Sequence, residues 1–228
     1  MAYSANTVIT DILRDSASLL LVKCLYFGTG TTDEASSLKV NVNTLVGRTM
    51  TLTGTLAAPT RPISFIPGEL VTAGDGTTGY VCQHWTPNTT HFITQIVLSN
   101  SQVQFSNNDV LTGDRSNSVF TIGAAGAAAD PAHMSLLSAV WSVCGGAATS
   151  VSVEWDNANN TFTDEAIRFS SSGWFSKQNL TESIKSAHRA NGATGNIKVS
   201  TYGVGAKGGY SLILEFRKEH GFAQRPIY

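Results

Sequence analysis

Charge is scarce in this chain. Only 14% of its 228 residues are Asp, Glu, Lys or Arg, and 15 basic against 16 acidic side chains leave a formal net charge of −1. The basic residues are scattered, so the electrostatic footprint that a phosphate backbone demands is missing and nucleic acid is not an expected partner. Long apolar runs are missing too. The longest, Leu19 to Val22, resumes after Lys23 as Cys24 to Phe27, far short of the roughly 20 residues of a membrane helix. No membrane partner is expected. The first residues, MAYSANTVITDILRDS, hold no basic stretch followed by an apolar one, so no secretory signal is read and the cytoplasm is the expected place of assembly. The three cysteines, Cys24, Cys82 and Cys144, are widely spaced and odd in number; they suit buried thiols rather than a disulfide frame. Proline is sparse, and three of the six fall in one stretch, AAPTRPISFIPGE.

What is present is 42% hydrophobic residues, enough for a real core, in a background rich in Ser, Thr, Asn and Gly. That balance points to an all-β protein. Val151, Val153 and Trp155 alternate with Ser152, Glu154 and Asp156, and a period of two places the apolar set on one face of a strand. Ile197, Val199 and Thr201 repeat the pattern, as do Tyr210, Leu212, Leu214 and Phe216. Trp155 and Leu214 are expected in the core. Upstream, Ser18 to Phe27 reads as a buried strand. Leu38, Val40 and Val42 alternate with Lys39, Asn41 and Asn43, which puts Lys39 on a wet face. Thr49 to Thr55 and Met134 to Cys144 read as further strands, the latter with Trp141 as a core candidate. Thr181 to Arg189 is the one short helix expected, capped by Thr181.

The Pro-rich stretch marks a boundary near Ala57, because proline does not pair within a central strand. Beyond it Phe65-x3-Glu69-Leu70-x-Thr72 repeats as Phe105-x3-Asp109-Val110-x-Thr112. After a one-residue slip Gly74-Asp75 matches Gly113-Asp114, and Gly79-Tyr80-Val81 matches Ser118-Val119-Phe120. Each copy reads as strand, turn, strand, with Ile93 to Leu98 between them. IGAAGAAADPAH then reads as a return linker. The expected architecture is a discontinuous antiparallel β-sandwich of residues 1–56 and 131–228, with residues 57–130 inserted as a small β domain of two similar hairpins.

Several motifs carry possible chemistry. Gly203-Val204-Gly205-Ala206-Lys207-Gly208 has the GxGxxG spacing of a dinucleotide site, but that site needs a helix after the glycines and a strand pattern comes next here. A hairpin loop is the preferred reading. Glu154, Asp156, Asp164 and Glu165 supply carboxylates for glycosidase-type acid/base work, against which stands the commoner solvated strand face. Cys82, His84 and His91 offer three metal ligands at no standard zinc spacing. DNANNTFTDE resembles a calcium loop with Ala158 in a ligand position and no glycine. His133, Ser142 and Cys144 lack the turn context of a nucleophile. Trp85 and Trp174 remain candidate sugar-stacking platforms, whereas Trp141 and Trp155 lie on apolar strand faces. No catalytic residue, cofactor site or metal site is assigned from these patterns.

The segments ITDILRDSASLLLVKCLYFGTGTTDEASSLKVNVNTL, VSVEWD and TGNIKVSTYGVGAKGGYSLILEFRKEHGF resemble a widespread family of tailed-bacteriophage virion structural proteins, whose members usually lack the insert. FIPGELVTAGDGTTGYV is similar to Gly-rich β repeats of other phage structural proteins. The resemblance implies a non-enzymatic virion component and carries no catalytic residue to transfer. On it rest the expectations of a capsid decoration protein bound to the major capsid protein, of a homo-oligomer, and of a location in the virion after assembly in the host cytoplasm. The alternatives are a neck, collar or tail-associated protein and, in a different class, a carbohydrate-binding receptor-recognition module.

Overall fold

The computed structural model describes residues 6–30, 33–56, 65–85, 92–98, 105–146, 148–157, 164–176, 184–185, 193–205 and 207–223. Strands account for the regular structure. The first three are β1 (Thr7–Asp15), β2 (Leu19–Phe27) and β3 (Ser37–Val40), followed by a single 3-10 turn, Val42–Thr44. Next come β4 (Thr49–Leu56), β5 (Leu70–Ala73), β6 (Thr78–Trp85), β7 (Phe92–Leu98), β8 (Val110–Gly113) and β9 (Val119–Ala129). The remainder are β10 (Met134–Cys144), β11 (Ser150–Asn157), β12 (Asp164–Phe169), β13 (Ser172–Ser176), β14 (Ile184–Lys185), β15 (Ala193–Tyr202) and β16 (Gly209–Lys218). The chain is all-β, and every strand pairing among the described residues is antiparallel.

Two compact units divide the chain, one running to Val42 and resuming over Pro131–Glu219, the other comprising Asn43–Asp130 and the segment from His220. The first holds two sheets. One has the order β1-β2-β16-β10-β13 with β14 also on β10; the other has the order β12-β11-β15-β3. Alternation explains their shared core: Leu20, Val22, Cys24 and Tyr26 of β2 and Tyr210, Leu212, Leu214 and Phe216 of β16 are all buried. So are Val151, Val153 and Trp155 of β11 and Ile197 and Val199 of β15. Trp155 meets Phe216 edge-on at 5.9 Å. Trp141 sits at the margin of this core, half-buried and stacked on Phe169 at 4.6 Å.

Two readings of the sandwich change, and one strand is added. Lys39 is buried against Glu34, with 1% of its side chain exposed, while Leu38 is 50% exposed. The β15–β3 register breaks between Ile197 and Lys198, leaving Lys39 as the extra residue and reversing the faces. The Glu34 carboxylate that receives Lys39 also accepts a 2.7 Å hydrogen bond from the Tyr210 hydroxyl. Thr7–Asp15, which shows no strand alternation in the sequence, forms β1. The helix expected over residues 181–189 falls mostly outside the described residues, and its described part, Ile184–Lys185, pairs with Leu136 and Ser135 instead.

The second unit is a closed barrel in the order β4-β7-β6-β5-β8-β9, filled by Met50, Leu52, Phe65, Val71, Val81, Ile96, Phe105, Leu111, Phe120 and Ile122. The Leu70↔Tyr80 and Thr72↔Thr78 pairs recur as Val110↔Thr121 and Thr112↔Val119. The offset is thus 40 residues in the first strand (70 to 110) and 41 in the second (80 to 121). Val81 therefore does not correspond to Phe120. The second turn is one residue longer, closing with Gly113 N to Ser118 O where the first closes with Ala73 N to Thr77 O. Thr72 faces Thr112 across β5–β8, which sets a local two-fold between the halves. The relation reaches further, since Tyr80↔Val97 recurs as Thr121↔Thr55. β4 is thereby the counterpart of β7 and part of the barrel, so the boundary lies at Val42/Asn43 rather than near Ala57.

The expected linker is also a strand. Val119–Ala129 forms β9 and pairs along β4, because its glycines admit close backbone: a Cβ on Gly126 would lie 1.9 Å from the Thr53 carbonyl oxygen, and one on Gly54 would lie 2.0 Å from that of Thr121. Small residues here serve tight sheet packing rather than flexibility. Asp130 closes the strand by accepting from Thr49 Oγ1 at 2.6 Å and Thr51 Oγ1 at 2.5 Å. The segment from His220 joins the barrel through buried Arg48, which donates to the Gly221 carbonyl at 2.6 Å and lies over the Phe222 ring.

Candidate functional site

Of the carboxylates singled out in the sequence, Glu154, Asp156 and Glu165 gather on the outer face of the four-stranded sheet, whereas Asp164 is the partner of Trp155 and lies on the other face. Glu154 and Glu165 are direct partners across β11–β12, and Lys198 is the partner of Glu154 on the other side. The face is less wet than its pattern predicts: Glu154 is 3% and Ser152 0% exposed. Long neighbours close over them. Ser36 Oγ donates to Glu154 at 3.2 Å, Ser152 Oγ to Glu165 at 3.0 Å, and Arg168 grips Glu165 while its guanidinium lies 4.3 Å above the Tyr202 ring. Asp156 takes Lys198 at 2.6 Å, Thr194 Oγ1 at 2.9 Å and Asn196 Nδ2 at 3.2 Å.

Arg168, with help from Ser152, holds the Glu165 carboxyl below the usual range against partial burial. Burial pushes Asp156 up, but the hydrogen bonds and charge around it outweigh that push and leave it lowered. Both groups are fixed as ions, whereas a general acid needs its pKa raised. The arrangement is that of a tied polar network covering a sheet.

Other candidates are taken apart or occupied by the fold. The Gly203–Gly208 stretch joins β15 to β16, strand to strand, with Gly203 and Gly205 at φ of 63° and 62°. The amides of Gly203 and Val204, which would face a phosphate in a dinucleotide site, donate to Asp33 at 2.9 and 3.0 Å. His133 is buried just before β10, while Ser142 and Cys144 are exposed near its far end. Nine residues of strand at about 3.3 Å each separate His133 from Ser142 by roughly 30 Å. Cys82 is half-buried; the side chains of His84 and His91, and residues 158–163 within the calcium-like stretch 156–165, lie outside the described residues, as does the Trp85 side chain. Among the described residues, no three His, Cys, Asp or Glu side chains are placed to hold a metal ion.

What the fold does present is apolar surface at the two ends of the larger sheet. On β1, Val8, Ile9, Ile12 and Leu13 are 48%, 41%, 48% and 51% exposed. On the opposite edge strand, β13, Trp174 is 66% exposed and stands beside Val140 at 53%. Serines flank this pair: Ser142 faces Ser172 and Ser138 faces Ser176. Trp174 is a candidate in the sequence too, but β1 is not. Its apolar residues fall in adjacent pairs four apart, a spacing that does not alternate, and a bulge between Ile12 and Arg14 breaks the period further.

No known protein family, curated protein or solved structure matches the chain. Its site is therefore read from its own surface. No helix among the described residues is long and apolar enough to cross a membrane.

Proposed function

We propose that this protein is a non-enzymatic structural component of a tailed-bacteriophage virion, a capsid decoration protein that binds the lattice of the major capsid protein. The observation that carries the reading is the pair of apolar strand edges, β1 and β13, at the two ends of the larger sheet. Exposed edges with apolar side chains invite pairing with another chain, and proteins that remain single normally blunt them. Sparse charge and a hydroxyl-rich surface suit wet, repeated contacts in a symmetric shell. The resemblance of the sandwich segments to phage virion proteins names the shell. In this role the protein self-associates, is assembled in the host cytoplasm and needs no cofactor.

Counting copies in purified particles tests the role. A lattice component is expected at about a hundred or more copies per particle; about six or twelve, the count of a neck or tail ring, would replace the capsid reading by the neck, collar or tail reading. Trp174 supports a second reading as a carbohydrate-binding module, since an exposed indole among serines can stack on a sugar. Saturable quenching of tryptophan emission by an oligosaccharide, abolished in Trp174→Ala, would favour it.

A further inference from the structure

We infer that Lys39 and Glu34 condense into a side-chain amide, an isopeptide link within this chain. The fold brings a nucleophile and a carboxyl group together out of water. Lys39 Nζ contacts Glu34 Oε1, with 1% and 6% of the two side chains exposed. Both are held on β15. The Glu34 amide donates to Thr201 Oγ1 at 2.6 Å and its carbonyl accepts from the Thr201 amide at 2.8 Å. Beside Lys39, Leu38 and Ser37 pair with Lys198 and Val199. Reacting groups fixed in contact react as though their concentration were many orders of magnitude above that of free groups.

The surroundings favour the reaction. Two charges taken out of water cost free energy that their attraction offsets only in part, so in a dry site a neutral amine and acid compete with the ion pair. A proton passing from Nζ to Oε1 makes that neutral pair. The amine lone pair then adds to Cδ of Glu34, and negative charge grows on Oε2, to which the Tyr210 hydroxyl donates at 2.7 Å. A donor aimed at a developing oxyanion lowers the barrier. Ser37 Oγ accepts from Nζ at 3.2 Å and orients it, while Tyr210 is steadied by stacking on Tyr26 at 5.7 Å. A second proton moves from Nζ to Oε1, the Cδ–Oε1 bond breaks and one water leaves. An ammonium and a carboxylate thus become an amide and water, and no oxidant or other reactant is consumed. The link removes both charges; burial, the largest cause of the raised Cys24 and Tyr210, is unaffected by it. In a second lysine pair, Lys218 with Asp15, 16% of the aspartate side chain is exposed, and contact with water favours the ions.

Tryptic digestion of the purified full chain after denaturation, followed by tandem mass spectrometry, reads the link directly. An acylated lysine has lost the charge that trypsin recognises. Cleavage is therefore expected after Lys23 and Arg48 but not after Lys39, giving a peptide 24–48 lighter by one water, with the loss mapped to residues 34 and 39. Lys39→Arg keeps a cation but offers no amine, because a guanidinium does not give up its proton; its peptide 24–39 should carry the full mass. Tyr210→Phe removes the donor to Oε2 and should lower the linked fraction in freshly made protein. A wild-type chain cut normally after Lys39 with peptides of full mass, or a water loss that persists in Lys39→Arg, would overturn the proposal. An undiminished linked fraction in Tyr210→Phe would overturn the part assigned to Tyr210. The wild-type digest decides the link itself whether or not either variant folds.

Discussion

Cys24 and Tyr210 show how burial, as the largest cause, gives single side chains a pH signature. Burial pushes the Cys24 thiol up to about 11 from an ordinary 9.0, with Lys39 and a Thr10 hydrogen bond opposing. Tyr210 is raised as well, first by burial and then by the Glu34 carboxylate it donates to. Both are acids whose folded pKa exceeds the unfolded one, so the stability they contribute is complete below about pH 9 and is lost as pH rises through the folded values. For Cys24 the full loss is on the order of 2–3 kcal/mol by pH 11. Melting temperature should therefore fall between pH 9 and 11, and Cys24→Ala should flatten part of that limb while Tyr210 keeps the rest. A wild-type profile level across this window would show that the thiol is not sealed.

At the scale of elements, β4 and β9 depend on missing side chains. A Cβ at Gly54 would meet the Thr121 carbonyl oxygen at 2.0 Å and the Phe120 ring at 2.9 Å, whereas one at Gly74 meets nothing within 4 Å. Backbone cannot yield as a flexible side chain does, so Gly54→Ala should destabilise the barrel by at least about 2 kcal/mol. Gly74→Ala should stay within about 0.5 kcal/mol of wild type. Urea titrations of the two variants compare them; equal midpoints would mean that β4 and β9 do not approach as closely as described. The same glycines explain why residues 119–129 read as a linker. Composition registers Ala and Gly as flexible, and the need for close backbone is visible only once β4 lies alongside.

For the whole molecule, the division at Val42/Asn43 makes a prediction that a division at Ala57 does not. Replacing residues 43–130 by a short Gly/Ser linker and ending the chain at Glu219 removes all six barrel strands and keeps all ten sandwich strands. That chain should be soluble and unfold in one cooperative transition. Excising 57–130 instead strands β4 without β7 and β9, baring Met50 and Leu52, which are 3% and 0% exposed in the barrel, and should aggregate. Calorimetry of both decides; a cooperative melt from the second chain and none from the first would return the boundary to Ala57.

The sequence by itself determined the all-β class, the run of core residues along β2, β11, β15 and β16, and the loop reading of Gly203–Gly208. Each of these rests on local alternation or on the pattern of the residues next to a motif. Only the tertiary structure decided which long-range partner each strand takes. That choice placed β4 in the barrel, made β9 a strand, and turned Lys39 inward through a one-residue irregularity against β15. It also decided the candidate surface. Val8, Ile9, Ile12 and Leu13 are ordinary apolar residues in the sequence, and they become an exposed edge because, among the described residues, β1 ends its sheet with β2 as its one neighbour, a property of topology that no local pattern encodes.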